Sequence, residues 1–274
     1  SVTDPCADDA TASCIADGVP TGGYDDTGII QIPSKTGGNV NAQPETADTM
    51  TIGAVFQPSW IDGLAVTVDY WNTEIDNAIS TIGPQVILDN CHATGTDCDK
   101  IDRWGVGSPA GQGNVIFIYD LTANVGGVDA DGIDVSVSYQ MPETQYGLFG
   151  VRFDAAFLGS YDKTLSTGAV IKHAGEFKDN DDGNFPDLKF TLGVNWSRGD
   201  WSANYTGRYI DSVHEELTKW FSVAGESRMV DSQFVHDIQA SYDLSSYNSI
   251  LTFGIDNVTD EQPPFAYSGF NDNT

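Results

Sequence analysis

Positive charge is what this sequence has least of. Twelve lysines and arginines stand against forty aspartates and glutamates in 274 residues, a formal charge of -28. So acidic a chain repels phosphate backbones, which excludes nucleic acid as a partner and leaves cations or positively charged surfaces. Acidity also keeps an exposed surface soluble, so charge alone assigns no role. Long apolar runs are missing too: no stretch approaches the ~18 residues of a membrane-spanning helix, so any membrane location requires a barrel of strands. Residues 1 to 30 lack the basic start and apolar core of a signal peptide, which implies that Ser1 is not the first residue translated.

The usual catalytic signatures are absent as well. There is no Gly-x-Ser-x-Gly elbow, phosphate loop, His-Glu-x-x-His or Cys-x-x-Cys, so the sequence supports no enzymatic activity. The four histidines, His92, His173, His214 and His236, are scattered and compose no metal site. Asp179, Asn180, Asp181, Asp182 and Gly183 resemble a calcium loop, but the glycine comes one position early and the distal Glu is missing. The run reads as a solvated acidic loop, with weak divalent-cation binding as the alternative and no cofactor expected. Cysteine is sparse and paired in sequence: Cys6 with Cys14 and Cys91 with Cys98, in segments rich in Asp, Thr and Gly. Four cysteines allow three pairings. Local bridges would each close a short polar loop and imply an oxidising compartment. The rival is a metal site, disfavoured because neither pair has zinc-knuckle spacing and only His92 lies nearby.

What is abundant is glycine, at 29 residues, and aromatic side chains, at 11%, both suited to strands and turns. Period-two alternation recurs about eight times. Met50, Ile52, Ala54 and Phe56 alternate with Thr49, Thr51 and Gly53; Leu64, Val66, Val68 and Tyr70 follow. Ile133 to Gln140, Phe149 to Phe157, Leu188 to Trp196, Trp201 to Tyr209, Phe234 to Asp243 and Leu251 to Asp256 repeat the pattern. Val115 to Gly132 reads as the distal part of one long, bulged strand running to Gln140. Connections alternate in length. Those near Gln57 to Gly63, Met141 to Gly147, Ser197 to Asp200 and Leu244 to Asn248 are short, whereas Asn77 to Asn114, Tyr161 to Pro186, Ser212 to Val230 and the chain ends at Ser1 to Ala47 and Val258 to Thr274 are long.

An antiparallel up-and-down meander with short turns at one rim and long loops at the other is the plan of an outer-membrane barrel. Rings near strand ends, Trp60, Trp71, Trp196, Trp201 and Tyr242, fit an aromatic girdle, and mid-strand Asp, Arg and Lys fit a wet lumen. A secreted β-sandwich with apolar faces turned inward has the same period, and alternation alone does not separate the two.

Four elements carry a family resemblance. NAQPETADTMTIGAVFQP (Asn41 to Pro58) and LAVTVDYWNTEIDNAI (Leu64 to Ile79) resemble paired barrel strands of TonB-dependent transporters, although Gln43 stands where a bulky or basic residue is usual. GIDVSVSYQMP (Gly132 to Pro142) is similar to that family's Gly-hydrophobic-acidic strand, and FGIDNVTDEQPPF (Phe253 to Phe265) to the element introducing its last extracellular loop. The resemblance implies an all-β fold: about eight strands from the C-terminal portion of a larger barrel of roughly 22 strands, with long extracellular loops and short periplasmic turns. Residues 1–274 would form part of this single domain, with the plug domain and the closing C-terminal strand lying outside the sequence.

The implied function is active import of a scarce ligand across the bacterial outer membrane: an iron chelate, a cobalamin-like cofactor or an oligosaccharide. A passive porin and the secreted binding or adhesion sandwich are the alternatives. Implied partners are outer-membrane lipid and lipopolysaccharide, a small-molecule or oligosaccharide ligand, and the energy-coupling TonB protein acting through the plug. Loop aromatics and charges are the candidate ligand contacts, namely Asp102, Arg103, Trp104, Trp220 and Phe265.

Overall fold

In the computed structural model the described residues are 2–25, 31–109, 111–177, 183–216 and 227–266. Trp220 and the acidic run at Asp179 to Asp182 lie outside them. The chain forms two compact units: Ser1–Ala47 with Ile75–Val128 and Thr164–Val170, and Asp48–Glu74 with Asp129–Lys163 and Ile171–Thr274.

Eight strands build the wall, and they are the eight that the alternation marks. In chain order they are β1 (Thr46–Phe56), β2 (Leu64–Ser80), β3 (Ala123–Gln140), β4 (Leu148–Thr164), β5 (Leu188–Arg198), β6 (Trp201–Ile210), β7 (Gln233–Leu244) and β8 (Ser249–Ile255). Each pairs with its neighbours in sequence, and a short strand at Val170–Lys172 adds to β4. The antiparallel register is unbroken where the turns are tight: β5 and β6 pair from Lys189 opposite Ile210 down to Arg198 opposite Trp201.

The two faces of the wall differ chemically because directly opposed residues share a face. One face carries an aromatic row. The Phe190 ring lies 5.4 Å from Phe153, 4.8 Å from Tyr209 and 5.7 Å from Phe234. The other face pairs Arg152 with Asp154 and Arg208 with Asp237, each at 2.6 Å, and Asn204 donates to Asn195 at 2.8 Å.

Among the described residues nothing covers the apolar face. Ile52 is 64% exposed and Phe253 72%, with Ile238, Leu251 and Ile255 also open. Among the described residues the buried apolar clusters contain no wall strand residue. They consist of Ile87, Leu88, Cys91, Ile101, Val115 and Ile118; of Cys6, Cys14 and Val19; and of Phe177, Val213 and Val230. A sandwich would bury its apolar faces against a second sheet. A wall standing in hydrocarbon leaves them bare, and a contiguous apolar surface of this extent is otherwise an aggregation hazard. The sandwich alternative is therefore set aside.

Two sequence expectations are corrected. The strand to Gln140 begins at Ala123, not Val115; Val115–Leu121 leaves the wall and pairs in parallel with Ser34–Gly37 and antiparallel with Ile101–Arg103. Trp71 is no girdle residue, since its ring lies across Gly132 on the face of β2 and β3 that carries Asp69 and Asp134. Among the described residues the N-terminal segment and the connection 77–114 hold helices, short strands and both disulfides.

Two glycines fix close approaches in the wall. Gly63, at φ +81°, ends the first short turn, and a Cβ there would lie 2.2 Å from the Gln140 carbonyl oxygen. At Gly132 a Cβ would meet the Trp71 ring at 2.6 Å and the Phe157 carbonyl oxygen at 2.5 Å. Trp71 thus fills the gap that a side-chain-free strand position leaves. Gly132→Val is expected to cost roughly 1–3 kcal/mol through overpacking. The check is the urea midpoint of the detergent-solubilised protein, and an unchanged midpoint would refute the Trp71–Gly132 contact.

Candidate functional site

The first unit is built from loop sequence, and its order comes from caps, bridges and one buried ion cluster. Asp4 caps helix α1 (Pro5–Asp8), accepting from the Cys6 N–H at 3.0 Å, and Pro5 supplies a preset φ at the first helical position. Thr11 caps helix α2 (Ala12–Ala16), and Cys6 is joined to Cys14 between them. Helix α3 (Pro84–Thr94) starts at Pro84 and ends where the Gly95 N–H donates to the Cys91 carbonyl at 3.1 Å. Its entry is held by buried Asp120, which accepts from the N–H groups of Ile82 and Gly83 at 3.0 and 3.2 Å. Cys91 is joined to Cys98. Both local bridges are thus as their spacing favours.

Arg103 ties the N-terminal segment to this loop. Its Nη1 donates to Asp4 and, at 3.0 Å, to the Gly113 carbonyl, while Nε donates to Asp17 at 2.6 Å. Tyr24 adds its hydroxyl proton to Asp4 at 2.5 Å. The Arg103 side chain is 2% exposed, Asp4 1% and Asp17 15%. Two carboxylates thus share one guanidinium out of water. Burial raises the Asp17 carboxyl above its ordinary range, with Arg103 opposing, and burial beside Asp4 pushes the Tyr24 phenol up. Burial alone would lower the Arg103 pKa, but its bonds to Asp4 and Asp17 more than offset this, so it stays charged.

Among the five candidate contacts, Arg103 is thereby spent on architecture and closed to a ligand. Asp102 and Trp104, its neighbours in sequence, are exposed. Phe265 belongs to the second unit, where Arg228 Nη2 donates to its carbonyl at 2.6 Å and the Arg228 guanidinium carbon lies 5.8 Å from its ring centroid. Asp17, Cys91 and Cys98 converge within 4.8 Å, but the two sulfurs are bonded to each other and offer no thiolate.

The three-stranded sheet of Ser34–Gly37, Val115–Leu121 and Ile101–Arg103 shows residues that sequence reasoning missed. Ile101 and Ile118 face inward onto α3. On the opposite face Phe117 and Tyr119 are half-buried, and Lys35 Nζ lies 3.9 Å from the Phe117 centroid and 4.9 Å from that of Tyr119. Asp102 pairs directly with Phe117 and so projects to the same side. The alternation of VIFIYDL carried this signal, but it was absorbed into the wall strand.

Residues 18–258 match the family model described as TonB dependent receptor-like, beta-barrel. The chain belongs to this TonB-dependent receptor family. Solved structures agree on the fold. The FrpB iron transporter from Neisseria meningitidis (F3-3 variant) aligns at a TM-score of 0.53 and 11% identity, over 84% of this chain and 29% of that one. A mutant ferric enterobactin receptor, PfeA, from Pseudomonas aeruginosa aligns at 0.54 and 15% identity, over 82% and 27%. This TonB-dependent receptor chain therefore spans less than a third of the length of either structure. No curated protein matches it.

Proposed function

We propose that this chain forms part of the wall and surface loops of an active outer-membrane transporter that imports a scarce ligand with energy delivered by TonB. The observation that carries the reading is an eight-strand meander, within the family match, whose apolar face is bare and whose opposite face is polar and ion-paired. Lipid and lipopolysaccharide would cover the bare face, and plug and ligand would meet the polar one. In this reading the long-loop end faces outside the cell, Asp102, Trp104, Trp220 and Phe265 contact the ligand, and no resident cofactor takes part. Iron chelates, cobalamin-like cofactors and oligosaccharides are the candidate cargo; FrpB is an iron transporter and PfeA a ferric enterobactin receptor.

Cells carrying or lacking the parent gene, each with or without the inner-membrane coupling protein, are grown under iron limitation, under cobalamin limitation, or on oligosaccharide as sole carbon source. Growth on one medium that requires both proteins is the expected result. Growth that requires this protein but not the coupling protein would mean a passive porin.

A further inference from the structure

We infer that Tyr205 and His236 mark, on the lipid-facing side of the wall, a contact with a second copy of this protein inside the membrane. The inference rests on the transporter reading and names a partner for part of its bare face. Gly207 stands directly opposite His236 and Ile238 directly opposite Tyr205, so both polar side chains belong to the face that carries Ile238 and Phe234. A Cβ at Gly207 would lie 2.8 Å from the Tyr205 hydroxyl and 3.0 Å from the Phe234 ring, so glycine leaves the phenol room to lie across the strand. There the hydroxyl meets His236 Nδ1 at 2.7 Å, and the imidazole centroid lies 4.2 Å from that of Phe234. Among the described residues Nε2 has no hydrogen-bond partner.

Depth decides what can meet this pair. His236 lies six residues along β7 from Tyr242, whose ring packs against Trp201 at the short-turn rim. At ~3.3 Å per residue and a tilt of ~40° that is roughly 15 Å into an apolar band ~25 Å tall, beyond the reach of any lipid oxygen. A polar atom left there without a partner is costly. With the ring neutral, the pair holds two protons, the phenolic O–H and one ring N–H, and the bond between them uses one. If the phenol donates to Nδ1, Nε2–H is left to donate and the phenol oxygen to accept; if Nδ1–H donates, the two roles are exchanged. Each tautomer thus leaves one donor and one acceptor on the outer face. A copy related by a two-fold axis supplies the matching acceptor and donor, giving two reciprocal bonds between Tyr205 of one copy and His236 of the other. The same face is recessed for close approach, since Val194, Trp196, Ala203, Ile238, Ala240 and Phe253 line a groove of about 360 Å³ beside Tyr205. Lipid chains would fill the groove but leave the pair unsatisfied.

The test uses the full parent polypeptide in a density-matched detergent, followed by sedimentation equilibrium. A monomer–dimer equilibrium is expected, and Y205F/H236F, which keeps two rings and removes the polar atoms, should weaken the dimer at least ~10-fold. Unchanged strand content by circular dichroism shows that a loss comes from the interface and not from unfolding. A second measurement decides even if that variant does not fold: I238C, beside Tyr205 on the exposed face, should yield a disulfide-linked dimer when native outer membranes are oxidised. A protein that is monomeric throughout, a dimer unchanged in Y205F/H236F, or no linked dimer from I238C overturns the inference. None of these outcomes touches the transporter reading, which fails only if growth proves independent of the coupling protein.

Discussion

Arg103→Met is expected to loosen the N-terminal segment by about 3–5 kcal/mol, because removing one partner of a buried ion cluster leaves the others charged and unsolvated. Asp4 and Asp17 would face each other without the guanidinium, and Asp4 would keep only the Tyr24 hydroxyl and the Cys6 N–H. The Asp4 carboxylate also caps α1, so losing the cluster weakens the cap as well. Cys6–Cys14 would keep its own loop closed but does not reach Arg103, which the ion pairs alone connect to Asp4 and Asp17. The readout is hydrogen exchange over residues 4–24, where protection should collapse while β5 to β7 keep theirs. Arg103→Lys should recover little, since an ammonium cannot serve Asp4, Asp17 and the Gly113 carbonyl with a planar fork. Full protection in Arg103→Met would show that the other ties, the apolar contacts of Cys6, Cys14 and Val19 and the bonds joining Thr3 to Gln85, Thr11 to His92 and Gln112 to Gly18, hold the segment without the ion cluster.

Arginine on adjacent residues of β7 should give opposite results. Ile238 is exposed on the apolar face, opposite Tyr205 and Ile255, whereas Gln239 follows on the polar face opposite Asn204 and Gly254. Ile238→Arg should destabilise the wall by about 2–4 kcal/mol near the bilayer midplane, and Gln239→Arg by close to nothing, because only the first puts a charge in hydrocarbon. Unfolding midpoints in lipid vesicles separate the two. Equal effects, or a larger effect at Gln239, would reverse the face assignment and with it the membrane reading.

How much was legible follows from what each feature depends on. The wall was readable because a strand's side chains alternate with period two whatever the rest of the chain does, and short turns between such runs leave few topologies. Loop order was hidden for the opposite reason. Asp4, Asp17 and Arg103 are separated by up to 99 positions, and no local pattern announces that they meet. Val115–Leu121 misled for a related reason: its alternation is that of any half-buried strand, and only Ser34–Gly37 and Ile101–Arg103 determine which sheet it joins.

By itself, then, the sequence determined the all-β class, the eight wall strands, the placement of short and long connections and the local cysteine bridges, all of which rest on contacts near in sequence or on a repeating pattern. Only the tertiary structure decided that the apolar wall face is uncovered, that Trp71 lies over Gly132, that Arg103 is structural and that Lys35, Phe117, Tyr119 and Asp102 share a surface. These depend on which strands pair and on what lies behind each face, and a linear pattern carries no record of either.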